Sequence, residues 1–160
     1  MPLFRLLYRS DSELTGSDRA VRDAAFALAE AAAIRNAEVD VTGALMFVGG
    51  AFVQVLEGDG PAVEAVFERI CRDTRHRRLL LHDFSTIDRR VFDDWSMVAF
   101  EGDDEARALF PTVSDGRSFS HRNRLSADTA VDLMRVLLAK RSAARRTSGT
   151  VRTTATDIVG

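Results

Sequence analysis

Apolar positions along this chain recur first with a period of two and then with a period near 3.6, and each change of period marks an element. Leu3 to Tyr8 predicts a short strand, with Phe4, Leu6 and Tyr8 on one face and Leu3, Arg5 and Leu7 on the other. Arg9 to Ser17 is polar and carries Gly16, which predicts a loop. A helix follows from about Asp18 to Arg35, capped by Ser17, with Val21, Ala24, Ala25, Leu28 and Ala32 as its apolar stripe. Two apolar runs, Val41 to Val48 and Ala51 to Glu57, are separated only by Gly49 and Gly50. Such a link predicts a hairpin, because primed turns need positive φ. Pro61 to Arg75 predicts a second helix with Pro61 in its first turn and Val63, Val66, Phe67 and Ile70 as its buried stripe. Leu79 to Ile87 and Phe92 to Phe100 predict two more strands.

The order βαββαββ, with two helices on one face of an antiparallel sheet, predicts a ferredoxin-like α+β sandwich over residues 1–101. A helical extension over 102–141 contains a short helix, Asp103 to Leu109, and a longer one, Ala127 to Arg141. The longer helix is capped by Ser126 and carries Val131, Met134, Leu137 and Leu138 at helical spacing. Residues 142–160, rich in Thr, Arg, Ser and Gly, lack apolar periodicity and are expected to be a disordered tail.

Composition narrows the function classes. Of 160 residues, 46% are apolar and 29% charged, an ordinary globular balance. The net charge of -2 gives no reason to expect nucleic acid or a membrane surface as partner, and no apolar run approaches the roughly 20 residues of a spanning helix. A lone cysteine, Cys71, excludes an internal disulfide framework, and with no secretory pattern at the N-terminus the expected location is the cytoplasm.

Within this frame a few polar residues ask for partners. Gln54 lies inside the run Phe52-Val53-Gln54-Val55-Leu56, on the face of Phe52 and Leu56. A buried amide left unbonded there would cost about 1–3 kcal/mol, so Tyr8, backbone, water or a ligand must bond it. Tyr8, the only tyrosine, ends the first strand on the Phe4/Leu6 face. Trp95 and Met97 share a face of the last strand by alternation, where core packing is the simpler explanation. Asn36 follows the first helix, where asparagine is a routine cap. Arg69, Asp73 and His76 fall at i, i+4 and i+7 on one flank of the second helix, as an exposed ion pair or as a row of donors and one acceptor aimed into a cleft. A planar heterocycle with alternating carbonyl and N–H groups would match such a row, and Asn36 would complement the same edge. No glycine-rich phosphate loop or paired cysteines occur, and His76, His82 and His121 lack zinc-ligand spacing, so no metal is expected.

Taken in order, these residues resemble the BLUF family, the sensors of blue light using FAD. The likeness runs from Leu3 to Phe100. It is carried by Val41-Thr42-Gly43-Ala44-Leu45-Met46-Phe47, the Gly-Gly turn and Phe52-Val53-Gln54-Val55-Leu56-Glu57-Gly58. Arg69, Asp73-Thr74-Arg75-His76, Arg89-Arg90-x-Phe92 and Trp95-Ser96-Met97 add to it. The resemblance implies a photoreceptor and not an enzyme, with a non-covalent flavin, FAD or else FMN or riboflavin, between the two helices. It implies Tyr8 as photochemical electron donor and Gln54 as the amide between that phenol and the flavin. Asn36, Arg69 and Asp73 would hold the flavin's polar edge, with His76 and Leu28 lining the ring. Trp95 and Met97 would relay the signal to a separate output protein or to the chain's own oligomeric assembly. Two positions depart from the pattern. Arg35 stands where the family usually has a second asparagine, and a guanidinium cannot accept a hydrogen bond, although it could reach a ribityl chain or phosphate. Asp40-Val41 replaces the usual Gly-Ile. Three alternatives remain: a flavin-binding module without photochemistry, a cofactor-free interaction domain, and an acylphosphatase-like hydrolase. The last is disfavoured by Asp11 in the Arg9-Ser10-Asp11 turn, which would repel a phosphate.

Overall fold

Backbone pairing, more than side-chain composition, decides where the strands of this chain end. The computed structural model describes residues 2–110 and 126–150, with side chains through 146. The elements are β1 (Leu3–Ser12), α1 (Asp18–Glu38), β2 (Thr42–Val48), β3 (Ala51–Asp59), α2 (Gly60–Cys71) and β4 (His76–Ile87), followed by β5 (Val98–Glu101), α3 (Asp104–Leu109) and α4 (Ala127–Thr150). The strands lie in the order β4-β1-β3-β2-β5. The first four are antiparallel to their neighbours, as a ferredoxin-like sandwich requires, while β5 runs parallel to β2 and makes the sheet mixed.

The expected loop at Arg9 begins only after Ser12. Arg9, Ser10 and Asp11 pair with Val53, Phe52 and Ala51 of β3, and β4 flanks β1 on its other side. A strand bonded along both edges keeps its conformation even where its side chains are polar. Here Arg9 and Asp11 are both buried and form an ion pair at 3.5 Å. The hairpin follows expectation, with φ of 53° at Gly49 and 77° at Gly50. Ser17 caps α1 by accepting the N–H of Ala20 at 3.2 Å. The helix continues through Glu38, and its buried residues are Ala25, Ala29 and Asn36.

Three further boundaries differ from the periodicity. Helix α2 stops at Cys71, so Asp73 lies in the following turn and His76 opens β4 instead of continuing a helical flank. The run Phe92 to Phe100 is a strand only from Val98. Before that, the chain is held by side-chain and backbone bonds. The Glu57 carboxylate accepts the N–H groups of Val91 and Phe92 at 2.9 and 3.0 Å, and Gly43 N–H donates to the Trp95 carbonyl at 3.0 Å. Helix α4 runs on through Thr150, well into the segment expected to be disordered, while residues 151–160 and His121 lie outside the described residues.

The sheet separates two cores. On one face α1 and α2 bring Ala25, Ala29, Val63 and Val66 against Leu6, Tyr8, Leu45, Phe52, Leu56 and Met97. On the other, α4 lays Ala130, Val131, Met134, Leu137 and Leu138 over Leu7, Ala44, Met46, Val53, Val55, Phe92 and Phe100. Among the described residues no helix is long and apolar enough to cross a membrane.

Candidate functional site

The site is built on the α1/α2 face of the sheet, where β1 and β3 set Tyr8 and Gln54 directly opposite one another. Cross-strand partners on one face are within reach of each other's side chains, and here the Tyr8 hydroxyl donates to Gln54 Oε1. The other end of the amide, Nε2, donates to Met97 Sδ at 3.4 Å. A thioether has no proton to give, so the amide is oriented with its oxygen toward the phenol. Tyr8 is 3% exposed, and burial, followed by the neighbouring Cys71 and Asp73, raises its pKa far above that of a free phenol. The phenol is therefore neutral throughout the physiological range.

A cleft of about 590 Å³, counting its open mouth, lies above this pair between α1 and α2. Tyr8, Leu45, Phe52 and Gln54 form its floor, Leu28, Ala32, Arg35 and Asn36 one wall, and Val66, Arg69, Ile70, Asp73, Arg75 and His76 the other. Eight residues singled out from the sequence are thus brought together: Tyr8, Leu28, Arg35, Asn36, Gln54, Arg69, Asp73 and His76. Arg75, Phe52, Leu45, Val66, Ile70 and Ala32 were not foreseen as lining. The shared strand face was the available clue for Phe52 and Leu45, and the α2 stripe for Val66 and Ile70.

Each polar wall residue is differently held. Asn36 is 1% exposed; its Nδ2 donates to the Ser96 carbonyl at 3.1 Å, while its Oδ1 is buried without a partner. Asp73 accepts from Arg75 Nε and backbone N–H, both at 2.9 Å, and that pairing holds its carboxyl down to about 2. His76 Nε2 lies 2.7 Å from the Ile70 carbonyl and Nδ1 2.7 Å from Ser10 Oγ. A carbonyl only accepts, so Nε2 carries a proton, and in the neutral ring Nδ1 accepts from the serine. His76 thereby ties the end of α2 to β1 and fixes the width of the cleft.

Trp95 and Met97 do not share a face. Met97 belongs to the α1/α2 core, and half-buried Trp95 packs against the α4 core. The two-residue alternation fails because the chain is not extended between them.

The residues suit a flat heteroaromatic group: apolar walls, a small side chain at Ala32, and a buried amide acceptor still lacking its donor. Comparison with known proteins gives the group its name. Residues 3–98 match the family model described as sensors of blue-light using FAD. The chain belongs to the BLUF family. As a BLUF chain it is a blue-light sensor that binds flavin, and the sensing module is not itself an enzyme. Among solved structures, the BLUF protein BlrB in the dark state superposes with a TM-score of 0.63 at 31% identity, covering 88% of this chain and 97% of that one. The photoactivated adenylate cyclase subunit alpha of Euglena gracilis is 33% identical over 97 residues, which is 61% of this chain and 9% of that protein. The blue light- and temperature-regulated antirepressor BluF of Escherichia coli is 39% identical over 83 residues, 48% of this chain and 20% of the antirepressor. The chain thus spans a fifth or less of the length of these two curated relatives.

One departure from the BLUF pattern now has a structural account. Asp40 has a φ of 53°, the left-handed region that glycine enters freely and that aspartate tolerates better than most residues. Arg90 Nη2 donates to both the Asp40 carbonyl, at 2.9 Å, and its carboxylate, at 3.0 Å, and so stabilises the turn without glycine.

Proposed function

We propose that Tyr8 and Gln54 are the light-driven hydrogen-bond switch of this sensor, with Asn36, Arg69 and Asp73 binding the polar edge of FAD and Leu28 and His76 lining its ring. The observation that carries this reading is the bonded series from Tyr8 Oη through the Gln54 amide to Met97 Sδ on the floor of the cleft. The bound flavin would supply blue-light absorption and an excited state able to accept an electron.

Tyr8 is buried and neutral, so it loses an electron readily only if its proton can leave, and its one path lies along the bond to Gln54 Oε1. Return of electron and proton restores the phenol but allows the amide to settle turned about its terminal bond. The turn sets Nε2 against the phenol oxygen and Oε1 against the sulfur, which has no proton to give, and costs only a few bonds of about 1 kcal/mol net. A sulfur acceptor at the far end keeps that cost low. Met97 then loses the Nε2 donor, and the change enters the segment leading into β5. Such a small energy can act only on a segment already near balance between two arrangements.

Arg35, at the mouth of the cleft, is suited to a ribityl chain or phosphate, which favours FAD or FMN over riboflavin. The free, exposed thiol of Cys71 agrees with a reducing cytoplasm, and the output is a separate protein or the chain's own assembly. The test is the blue-light difference spectrum of the purified flavin-loaded chain. The parent should show a reversible red shift, and Gln54→Leu should keep flavin but lose the shift. A normal light response in Gln54→Leu would remove Gln54 from the switch. A flavin-loaded parent with no reversible shift would favour a binding module without photochemistry.

A further inference from the structure

A second groove, of about 820 Å³ with its open side, follows the outer edge of β5 between α1 and α4. β5 ends the sheet, pairing with β2 on one side and with no other strand among the described residues. Gly102 N–H donates to the Phe47 carbonyl at 3.0 Å, and Phe47 pairs with Glu101, which fixes the phase of the parallel ladder. Phe100 and Gly102 therefore turn their backbone groups toward β2. Ala99 and Glu101 present theirs to the open edge. Natural sheets usually blunt such an edge with charge or cover it. Here the two helices overhang it without closing it, and apolar side chains face the gap: Phe26 from α1, Leu138 from α4, and Trp95 and Val98 from the sheet side.

The rim is basic. Arg141 and Arg145 line the groove, and Arg22 stands beside it on α1. Glu101 is the acid of this cluster, bonded to Arg22 at 2.8 Å and 3.8 Å from Arg141, while Arg145 has no ion pair among the described residues. Glu101 marks how a carboxylate is received at this rim, and one carboxylate leaves three guanidinium groups with charge to spare.

We propose that the β5 edge is a docking groove for an extended segment of a partner protein, one with alternating apolar residues and acidic flanks, which adds as a sixth strand. Main-chain bonds to Ala99 and Glu101 would supply affinity, the apolar side chains alternate pockets, and the arginines selection for acid. A second copy of this chain is the poorer occupant, because antiparallel β5–β5 pairing would set the same basic rims against each other. The groove shares no lining residue with the cleft, and the proposal does not require the flavin reading.

The test pans a phage-displayed library of random short peptides against the flavin-loaded full chain. Synthetic copies of enriched sequences are then titrated by fluorescence anisotropy, with emission from Trp95, the only tryptophan, reporting occupancy. Enriched peptides should alternate apolar residues between acidic ones and alter Trp95 emission. Affinity should fall about tenfold or more in Arg141→Glu/Arg145→Glu, and likewise in Ala99→Pro, which removes an outward N–H that an edge strand can spare structurally. The flavin spectrum of each variant checks that it folds. Failure to enrich any peptide family, enrichment without acidic residues, or equal binding by the variants would overturn the proposal. Concentration-dependent self-association lost in the same variants would overturn it in favour of a second copy.

Discussion

Replacing Asn36 with alanine separates its two possible duties, because the two ends of the amide are in different situations. Nδ2 donates to the Ser96 carbonyl at 3.1 Å, and its loss forfeits one bond worth about 1 kcal/mol net. Oδ1 is buried and unpartnered, and removing it relieves a desolvation cost of about 1–3 kcal/mol. In the ligand-free chain these changes oppose each other, and Asn36→Ala should leave unfolding free energy unchanged or raise it by no more than about 2 kcal/mol. If Asn36 binds the flavin as proposed, Oδ1 gains its donor in the bound chain, and alanine loses both bonds with no relief. Flavin affinity should then weaken by about 1–2 kcal/mol, roughly 5- to 30-fold in Kd. Flavin titration monitored by fluorescence gives the Kd, and denaturant unfolding without flavin gives the stability. Amide exchange in the stretch from Trp95 to Phe100 should also quicken in the bound variant, since the clamp on Ser96 is gone. An unchanged Kd beside a ligand-free chain destabilised by several kcal/mol would refute the reasoning and leave Asn36 a structural clamp alone.

Three other substitutions probe what supports the site. A Cβ on Gly43 would lie 2.0 Å from the Val55 carbonyl oxygen, a backbone atom with nowhere to go, so Gly43→Ala should cost about 3 kcal/mol or more, read as a lower denaturant midpoint. Met134, 0% exposed on the buried side of α4, should cost about 2–5 kcal/mol on truncation to alanine while leaving the dark flavin spectrum unchanged, because it lies on the far face of the sheet. Burial raises the pKa of Glu57 despite the bonds from Phe92 and Val91. The folded state therefore holds that proton more tightly, and the stability this contributes is fully present below the unfolded value, about 4.3, and lost as pH rises through the folded value. Glu57→Gln should flatten that part of the stability–pH curve; an identical slope in the variant would show that another group sets it.

How much of this was legible in the chain depends on whether a residue's surroundings are local. The Gly49-Gly50 turn and the Ser17 cap were, because each is decided by backbone conformation within a few residues. Tyr8 was one of several possible partners for the buried Gln54 amide, and the resemblance supplied the choice and the chemistry. Long-range pairing was hidden. Arg9-Ser10-Asp11 reads as a loop from composition and is strand because β1 is bonded on both sides. Phe92, Trp95 and Met97 read as a strand because they are apolar, yet they are placed by Glu57, Gly43 and Gln54, which are distant in sequence. The acidity of Asp73 toward Arg75, two residues on, was visible only once α2 was seen to end at Cys71.

The same hidden contacts bear on how a change in the cleft can leave it. Residues on β3 alternate between faces, so Gln54 looks into the cleft while its neighbours Val53 and Val55 look into the α4 core. A sheet so rigidly paired transmits little by bending. The stretch before β5 is different: it reaches both cores with successive apolar side chains, Trp95 to the α4 side and Met97 to the α1/α2 side. It is also held by bonds that originate in the site, from Gln54 to Met97 and from Asn36 to Ser96, and by Gly43 on β2. If Gln54 withdraws its donor, Met97 is released, and Trp95 two residues away can shift only against α4 or into the groove beside it. On the proposed switch, the route from cleft to α4 would run through an irregular segment with few main-chain bonds, where a kcal/mol is enough to matter, and not through the strands that carry the fold.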